Sequence, residues 1–533
     1  MTDSSNLANL LALFAIIPLC AAGGSLLIPR FQLLPRLHTH SLAALLAGIV
    51  NLILALWLMA RTVQGTNLVL HVGGHHGPFG IVLVADVFSA LLLLLTAVIY
   101  LGTVPFAIDV LDQRDRMGFY PLSLFLLMGV NGTFLAGDLF NLYVFFEILV
   151  ITSFVLVTLG GQRDQIRGGL RFVVLNLLGS MVFLGAVAVA YGTLGTLNFA
   201  HIAVLLRQPN LPAWLVPMMA GLLFVAFAGK SALFPLHFWL PCSYHTTHPV
   251  VNALFGGLLT KVGLYSLFRL FPLLFPEQLA AWQPAFLALA GASMVVGTLG
   301  GLSGDTLRRA LSFQIVSHIG FIFAGLALAG TRNGVLAVGL APAILYLAHH
   351  MVVKTAVLMA GGAVELELQT GRVVPGPDGG SGGLLAHRQW LAIWFFLTAL
   401  SLAGIPPFSG FTGKLGLLLL MISMEQWLLL AVAVLSSFVT LYMIMRLWQG
   451  AFWGAPPPVR NTDGPAAAPT RLGPGFGMLT LTPIAVLVGC SLLMGVFGES
   501  AWSVANQAAA TLTDVEAYID SVALAGHLAD ASH

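Results

Sequence analysis

The stretch Val250–Phe271, VVNALFGGLLTKVGLYSLFRLF, is an apolar run with one lysine, Lys261, at its middle. As a helix rising about 1.5 Å per residue it is long enough to cross the roughly 30 Å apolar layer of a bilayer. Lys261 then has about eleven residues on either side, or roughly 16 Å of helix each way. That is too far for its side chain to snorkel easily to a surface. A cation at the bilayer centre costs on the order of 3 kcal/mol on insertion scales. The fold of such a chain must offset that cost with other polar groups or water.

The rest of the sequence has the same character. Of 533 residues, 58% are hydrophobic and only 8% charged, and the mean hydropathy is +0.95. Soluble domains carry about 25% charged residues. The apolar runs are continuous rather than alternating, which indicates an all-α integral membrane protein and not a barrel. The formal charge of +2 gives no sign of a nucleic-acid partner. Cys20, Cys242 and Cys490 are scattered without metal spacing and read as packing residues. No metal or cofactor is implied. The first apolar run, Leu7–Ile28, is followed by Arg30 and Arg36 and preceded by no basic residue, the reverse of a signal peptide. It reads as a retained span with its N-terminus outside.

About fourteen spans are expected, near 7–29, 41–61, 84–107, 119–137, 139–160, 170–193, 213–240, 248–272, 283–303, 310–330, 335–361, 390–422, 427–449 and 477–498. Arg372–Ser381 and Pro456–Pro474 are Gly/Pro-rich loops. With the N-terminus outside, fourteen arginines fall in inside loops or at inside span ends. Four fall outside: Arg61, Arg207, Arg269 and Arg332. That is the bias the positive-inside rule requires.

All four lysines, Lys230, Lys261, Lys354 and Lys414, lie within spans, whereas the arginines sit at span ends and in loops. Arginine cannot usefully release its proton, but a desolvated lysine can. The pattern points to groups that load and unload protons inside a membrane. The clear mid-span carboxylate is Glu147, and one carboxylate cannot pair four lysines. His318, His349 and His350 add titratable groups, with His350 and Lys354 spaced i, i+4 on one helix face. Asp86 and Asp138 fall near span ends and read as interfacial. His71, His75 and His76 read as solvated loop. His245 and His248 lack further metal ligands, and their role is open.

Two spans are interrupted. FAGKSALFPLHFWLP places Lys230 five residues before Pro235. LAGIPPFSGFTGKLG places Pro406 and Pro407 before Lys414. Proline removes a helix hydrogen bond, and paired interruptions in two halves point to an ion site. The two spans are five apart, and an odd offset reverses direction. Two inverted five-helix repeats are therefore expected, spans four to eight against nine to thirteen. The expected divisions are residues 1–118 as a three-helix segment, 119–272 and 283–449 as two half-channels, and 450–533 as loop, last span and tail.

VNGTFLAGDLFNLYVFFEILVITSF, GKSALFPLHFWLP, ALFGGLLTKVGLYSLFRL and AGIPPFSGFTGKLG resemble the antiporter-like membrane subunits. This family is shared by respiratory NADH dehydrogenases, membrane-bound hydrogenases and Mrp-type sodium/proton antiporters. The similarity covers about residues 80–450 and looks strongest to the D-type subunits of Mrp (Mnh/Pha) antiporters. The resemblance implies that Glu147 pairs with Lys230, that Lys261 is the central residue, and that Lys414 ends the line. The lysine at 414, where the NADH dehydrogenase relatives often have glutamate, favours the Mrp side. It also implies a transporter rather than an enzyme, in a bacterial cytoplasmic membrane among lipid and other Mrp subunits. The transported species would be protons and sodium or another monovalent cation. The expected path runs through Glu147, Lys230 and Lys261, then His318 and His349 or His350 with Lys354 nearby, to Lys414. The alternative is a proton-pumping subunit of a redox complex. A vestigial scaffold is disfavoured by the intact lysines, and an inorganic-carbon carrier would need a zinc partner.

Overall fold

The computed structural model describes residues 7–27, 37–74, 80–329, 336–368, 370–371, 382–454 and 477–522. The loops Arg372–Ser381 and Pro456–Pro474, together with Arg30, Arg36, Arg332, His75 and His76, lie outside the described residues.

The chain is a helical bundle. In order, the helices are α1 (Leu10–Leu27), α2 (Thr39–Thr62), α3 (Val87–Val110), α4 (Gln113–Leu135), α5 (Leu139–Val157), α6 (Arg163–Leu194), α7 (Phe199–Leu205), α8 (Leu215–Ser231), α9 (Trp239–Tyr244) and α10 (Pro249–Leu274). Then follow α11 (Pro276–Ala281), α12 (Gln283–Leu302), α13 (Leu307–Ala329), α14 (Leu336–Leu368), α15 (Gln389–Ala403), α16 (Ser409–Ser423), α17 (Trp427–Phe452), α18 (Met478–Val496), α19 (Gly498–Thr513) and α20 (Val515–Val522). Twelve helices among the described residues are long and apolar enough to cross a membrane. The expected spans 213–240 and 390–422 are each two shorter helices, α8 with α9 and α15 with α16.

Both interruptions have the same local cause. The first half-helix ends in a left-handed residue, Ala232 (φ 58°) in one and Gly404 (φ 85°) in the other. Proline follows in each, Pro235 in the first and Pro406–Pro407 in the second. Helix hydrogen bonding cannot continue through a left-handed residue and then a residue with no N–H to donate.

Burial sorts the helices. The most apolar windows of α10 and α14 are completely buried, and that of α13 nearly so. α1, α2, α6, α17 and α18 are only about one-third buried and turn leucine, isoleucine and methionine outward. A soluble protein rarely exposes such a surface, and a bilayer accepts it. The three buried helices hold Lys261, His318, His349, His350 and Lys354.

Two features depart from a purely helical reading. His71 belongs to a strand, not a solvated loop. β1 (Leu68–His71) pairs antiparallel with β2 (Val82–Ala85), with Leu68 opposite Ala85. This ribbon is pinned to the α4–α5 turn, where Gly137 N donates to Val82 O at 2.9 Å. It marks one end of the bundle, the hairpin end. The C-terminal segment also folds back as two helices on that end. α19 packs Ala505, Ala508, Ala509 and Leu512 inward against α14 and α3. α20 reaches α7 and β1, and Arg207 pairs with Glu516.

Asp86 and Asp138 are not interfacial in the sense of being solvated. Each caps a helix, accepting from Ser89 N at 2.9 Å and Asn141 N at 2.6 Å respectively. They are only 1% and 5% exposed. Burial pushes the Asp138 carboxyl up to about 6, against backbone hydrogen bonds that act the other way. Arg269 is not a loop residue. It is 4% exposed, inside the last turns of α10, and holds Asp86 with two hydrogen bonds.

Candidate functional site

Lys230 lies in the last turn of α8, immediately before the first interruption. Its Nζ donates to Ser180 Oγ of α6 at 2.9 Å and stands 5.1 Å from the Phe146 ring centroid. Beside it is a cavity of about 10 Å³ lined by Phe146, Ser153, Asn176, Lys230 and Trp239. That is about the space of one water molecule. Glu147, next to Phe146 on α5, is close enough to act on Lys230 electrostatically. Among the described residues no ion pair joins them, however. Glu147 Oε1 is buried without a hydrogen-bond partner. The ammonium turns to a hydroxyl instead of the carboxylate that the resemblance implied.

Lys261 is 0% exposed and donates to the carbonyl of Gly256 in its own helix. Glycines bring its neighbours close. A Cβ on Gly263 would lie 2.5 Å from Ser231 Oγ and 2.9 Å from Phe227 O of α8. One on Gly257 would strike Thr355 of α14. These approaches place the end of α8 on one side of Lys261 and the Lys354 turn of α14 on the other.

The second half gathers the remaining groups. His318 of α13 and His350 of α14 have ring centroids 5.1 Å apart, and Tyr346 stands 5.8 Å from His318. Among the described residues, no hydrogen-bond partner reaches any of the four buried nitrogens of the two histidines, nor Lys354 Nζ. Lys261 is near enough to act electrostatically on both His350 and Lys354. His349 faces the other way, its Nδ1 2.8 Å from Ser409 Oγ at the start of α16. Lys414, one turn into α16, reaches back across the break and donates to Ala403 O at 2.9 Å. A cation at the free carbonyls of a half-helix C-terminus is favoured by the helix dipole. Lys230 likewise stands at the C-terminal end of α8.

The structure thus brings Lys261, His318, His349, His350, Lys354 and Lys414 into one buried neighbourhood. Lys230 and Glu147 lie in a second, joined to the first by the Gly263–Ser231 contact. Ser180, Ser401, Ser409 and Ser491 escape sequence reasoning, because a serine in an apolar span has no pattern signal.

At the end opposite the hairpin lies a polar vestibule of about 620 Å³. Its lining includes Asp112, Asp115, Gln165, His248, Arg308 and Glu365. Arg308 pairs with Glu365 and donates to Thr247 O. His245 hydrogen-bonds Pro241 O through Nδ1 at 2.6 Å. No group of three metal-binding side chains occurs among the described residues.

A family model described as NADH:quinone oxidoreductase/Mrp antiporter, transmembrane, matches residues 136–440. The matched segment contains both interruptions and all four lysines. The chain belongs to the NADH:quinone oxidoreductase/Mrp antiporter membrane family. It is 37% identical to the D subunit of a Na(+)/H(+) antiporter of Alkalihalophilus pseudofirmus over 518 residues, 96% of this chain and 99% of that one. A chain in the structure of the Mrp complex from Dietzia sp. superposes with TM-score 0.84 at 30% identity, covering 98% of this chain and 100% of that chain. A chain of respiratory complex I from Thermus thermophilus superposes with TM-score 0.77 at 25% identity, covering 94% and 99%. The protein is a multi-pass membrane protein with the fold of an antiporter-like subunit.

Proposed function

We propose that this chain is the D-type, proton-translocating subunit of a multisubunit monovalent-cation/proton antiporter of the Mrp type. Its partners are the other Mrp subunits, in a bacterial cytoplasmic membrane with the N-terminus outside. The near-full-length likeness to the D subunit of a Na(+)/H(+) antiporter and to a chain of an Mrp complex supports this assignment. The observation that carries the mechanism is the confinement of all four lysines to the buried interior, each 0–5% exposed and none in an ion pair among the described residues.

Protons pass along Glu147, Lys230 and Lys261, then by His318, His350 and Lys354, and by His349 to Lys414. Residues 119–272 and 283–449 act as inverted half-channels meeting at Lys261. Ammonium and imidazole groups buried without partners are costly. Mobile water supplies the missing partners and bridges the gaps. Protonation of Lys230 strengthens its attraction to Glu147 and deprotonation weakens it. That change of field is what an opposing ion step responds to. The breaks at Pro235 and at Pro406–Pro407 expose backbone carbonyls to this water.

Ion-gradient fluorescence on vesicles carrying the whole complex tests the path. Alanine at Lys230, Lys261 or Lys414 abolishes antiport with assembly intact. Full antiport by Lys261→Ala would sink the mechanism. Lys261→Arg keeps the charge and blocks its release, so it is also inactive.

The complex I likeness favours a second reading, a pump driven by redox chemistry elsewhere. The purified complex distinguishes them. Antiport without any electron donor supports the first, and proton uptake that requires quinone reduction supports the second.

A further inference from the structure

The second interruption is held by a helix that lies outside both five-helix halves and outside the segment matched by the family model. α18 presents Ser491 and Gly495, one turn apart, to the break. Gly495 sits directly on the carbonyl of Pro407, and a Cβ there would also lie 2.6 Å from Phe408 C and 2.7 Å from Ser409 N. Ser491 Oγ is 2.8 Å from Ser409 Oγ and 2.7 Å from Ser401 Oγ. Ser409 in turn is 2.8 Å from His349 Nδ1. The result is an unbranched row, His349–Ser409–Ser491–Ser401, drawn from α14, α16, α18 and α15. All four members are 0–1% exposed.

We propose that this hydroxyl row fixes the ring orientation of His349 and ties the hydrogen on its Nδ1 to the direction of the row, and that Ser491 is a positioning residue for proton transfer. The proposal rests on the reading of His349 as a proton-carrying group. A hydroxyl gives one hydrogen and accepts others. If Nδ1 is bare, Ser409 donates to it, Ser491 to Ser409 and Ser401 to Ser491. If Nδ1 carries hydrogen, the three O–H bonds rotate and the row runs the other way. No covalent bond breaks in that reversal. A mixed arrangement sets two hydrogens or two lone pairs face to face, leaving buried polar atoms unpaired. The state of Nδ1 is therefore tied to the whole row. Nε2, which has no hydrogen-bond partner among the described residues and lies against Gly410, is left as the nitrogen that exchanges protons. The titratable and charged groups around His349 are Tyr346, stacked on it at 5.5 Å, His350 and Lys354 on its own helix, His318 on α13 and Lys414 on α16. α15, α16 and α18 contribute the hydroxyls of Ser401, Ser409 and Ser491.

The test uses vesicles carrying the whole complex, with Ser491→Ala, Ser401→Ala and His349→Ala measured in parallel for assembly, antiport rate and pH profile. Ser491→Ala lowers the rate about tenfold, the lower end of the cost when the orienting partner of a metal-bound histidine is lost, taken as the scale for an oriented histidine here. It also moves the midpoint of the pH profile. Ser401→Ala shortens the row and produces a smaller effect of the same sign. A change in rate alone, with an unmoved pH profile, would mean a packing role and overturn the proposal. If Ser491→Ala does not assemble, Ser401→Ala decides by the same criterion. An inactive His349→Ala beside serine variants of wild-type rate and profile overturns the row and leaves the path standing. Normal antiport by His349→Ala overturns both.

Discussion

Asp86 and Arg269, 183 residues apart, grip each other inside the hairpin end of the bundle. Arg269 Nη1 donates to Asp86 Oδ2 at 2.5 Å and Nη2 to Oδ1 at 2.9 Å. Ser89 Oγ takes a further hydrogen bond at 3.1 Å, and the Tyr265 and Tyr518 rings flank the guanidinium. The pair ties α3 to α10 and brings in α20 through Tyr518. It sits on the same helix as Lys261 but at its far end, eight residues on. Its chemistry is fixed charge rather than exchange, since arginine stays protonated.

Removing one partner of this pair leaves an uncompensated buried charge. Asp86→Ala is therefore expected to cost about 3–5 kcal/mol of stability. The double change Asp86→Ala with Arg269→Leu removes both charges and is expected to lose less than the single one. Thermal unfolding of the two variants in detergent checks this ordering. A double variant less stable than Asp86→Ala would show that the pair's packing matters more than its charge.

Gly404 ends α15 at φ 85°, and a Cβ on it would lie 2.9 Å from Lys414 Cδ. Gly404→Ala combines a left-handed backbone cost of about 1–2 kcal/mol with displacement of the lysine that donates to Ala403 O. Gly195 also has positive φ, 68°, but open space around it. Gly195→Ala should thus lower stability by a similar amount and leave antiport intact, while Gly404→Ala lowers both. Equal antiport in the two variants would separate Lys414 from the break geometry.

Gly263 is the point where α10 meets the end of α8. A methyl there meets Phe227 O and Ser231 N at 2.9 Å, both backbone atoms that cannot swing away. Gly263→Ala forces the helices apart between Lys230 and Lys261. Overpacking of this kind costs about 1–3 kcal/mol. The expected result is a folded complex with antiport reduced more than its thermal stability. Gly24→Ala, with nothing within 4 Å, serves as the control.

Asp138 gives a pH-dependent prediction. Its folded value of about 6 lies above the unfolded value of about 3.9. A carboxyl raised on folding contributes stability that is fully present below about pH 4 and is lost as pH rises through about 6. The loss amounts to about 2–3 kcal/mol. Asp138→Asn keeps a carbonyl oxygen for Asn141 N and removes the buried charge, giving up only the longer 3.3 Å bond that Val82 N donates to Oδ2. Its melting temperature should exceed that of the wild type at pH 7.5, with the difference shrinking toward pH 4. A difference that grows on acidification would refute the assignment.

Much of the fold can be read from the one-dimensional pattern. Helices occupy the apolar stretches, and the interruptions fall at Pro235 and Pro406–Pro407, because hydropathy and proline act locally. The burial of Lys230, Lys261, Lys354 and Lys414 follows from their positions in apolar runs. The ribbon 68–71/82–85 and the helices α19 and α20 are not legible in that pattern. The first is too short to show a period, and the other two form outside the membrane-length runs. Arg269 reads as a loop residue because it lies near a span end and its partner is far away in sequence.

The sequence alone determined that this chain crosses a membrane many times, where two of its helices break, and that its lysines lie inside the spans while its arginines lie at the ends. Those are properties of each segment's own composition. Only the tertiary structure decided which polar groups meet. Lys230 faces Ser180 rather than Glu147, Lys414 turns back to Ala403, and His349 is linked through Ser409 to Ser491. The physical reason is that a buried hydrogen-bonding group must find a partner in space. For Lys230, Lys414 and His349 that partner lies on another helix, 50, 11 and 60 residues away, chosen by how the helices pack.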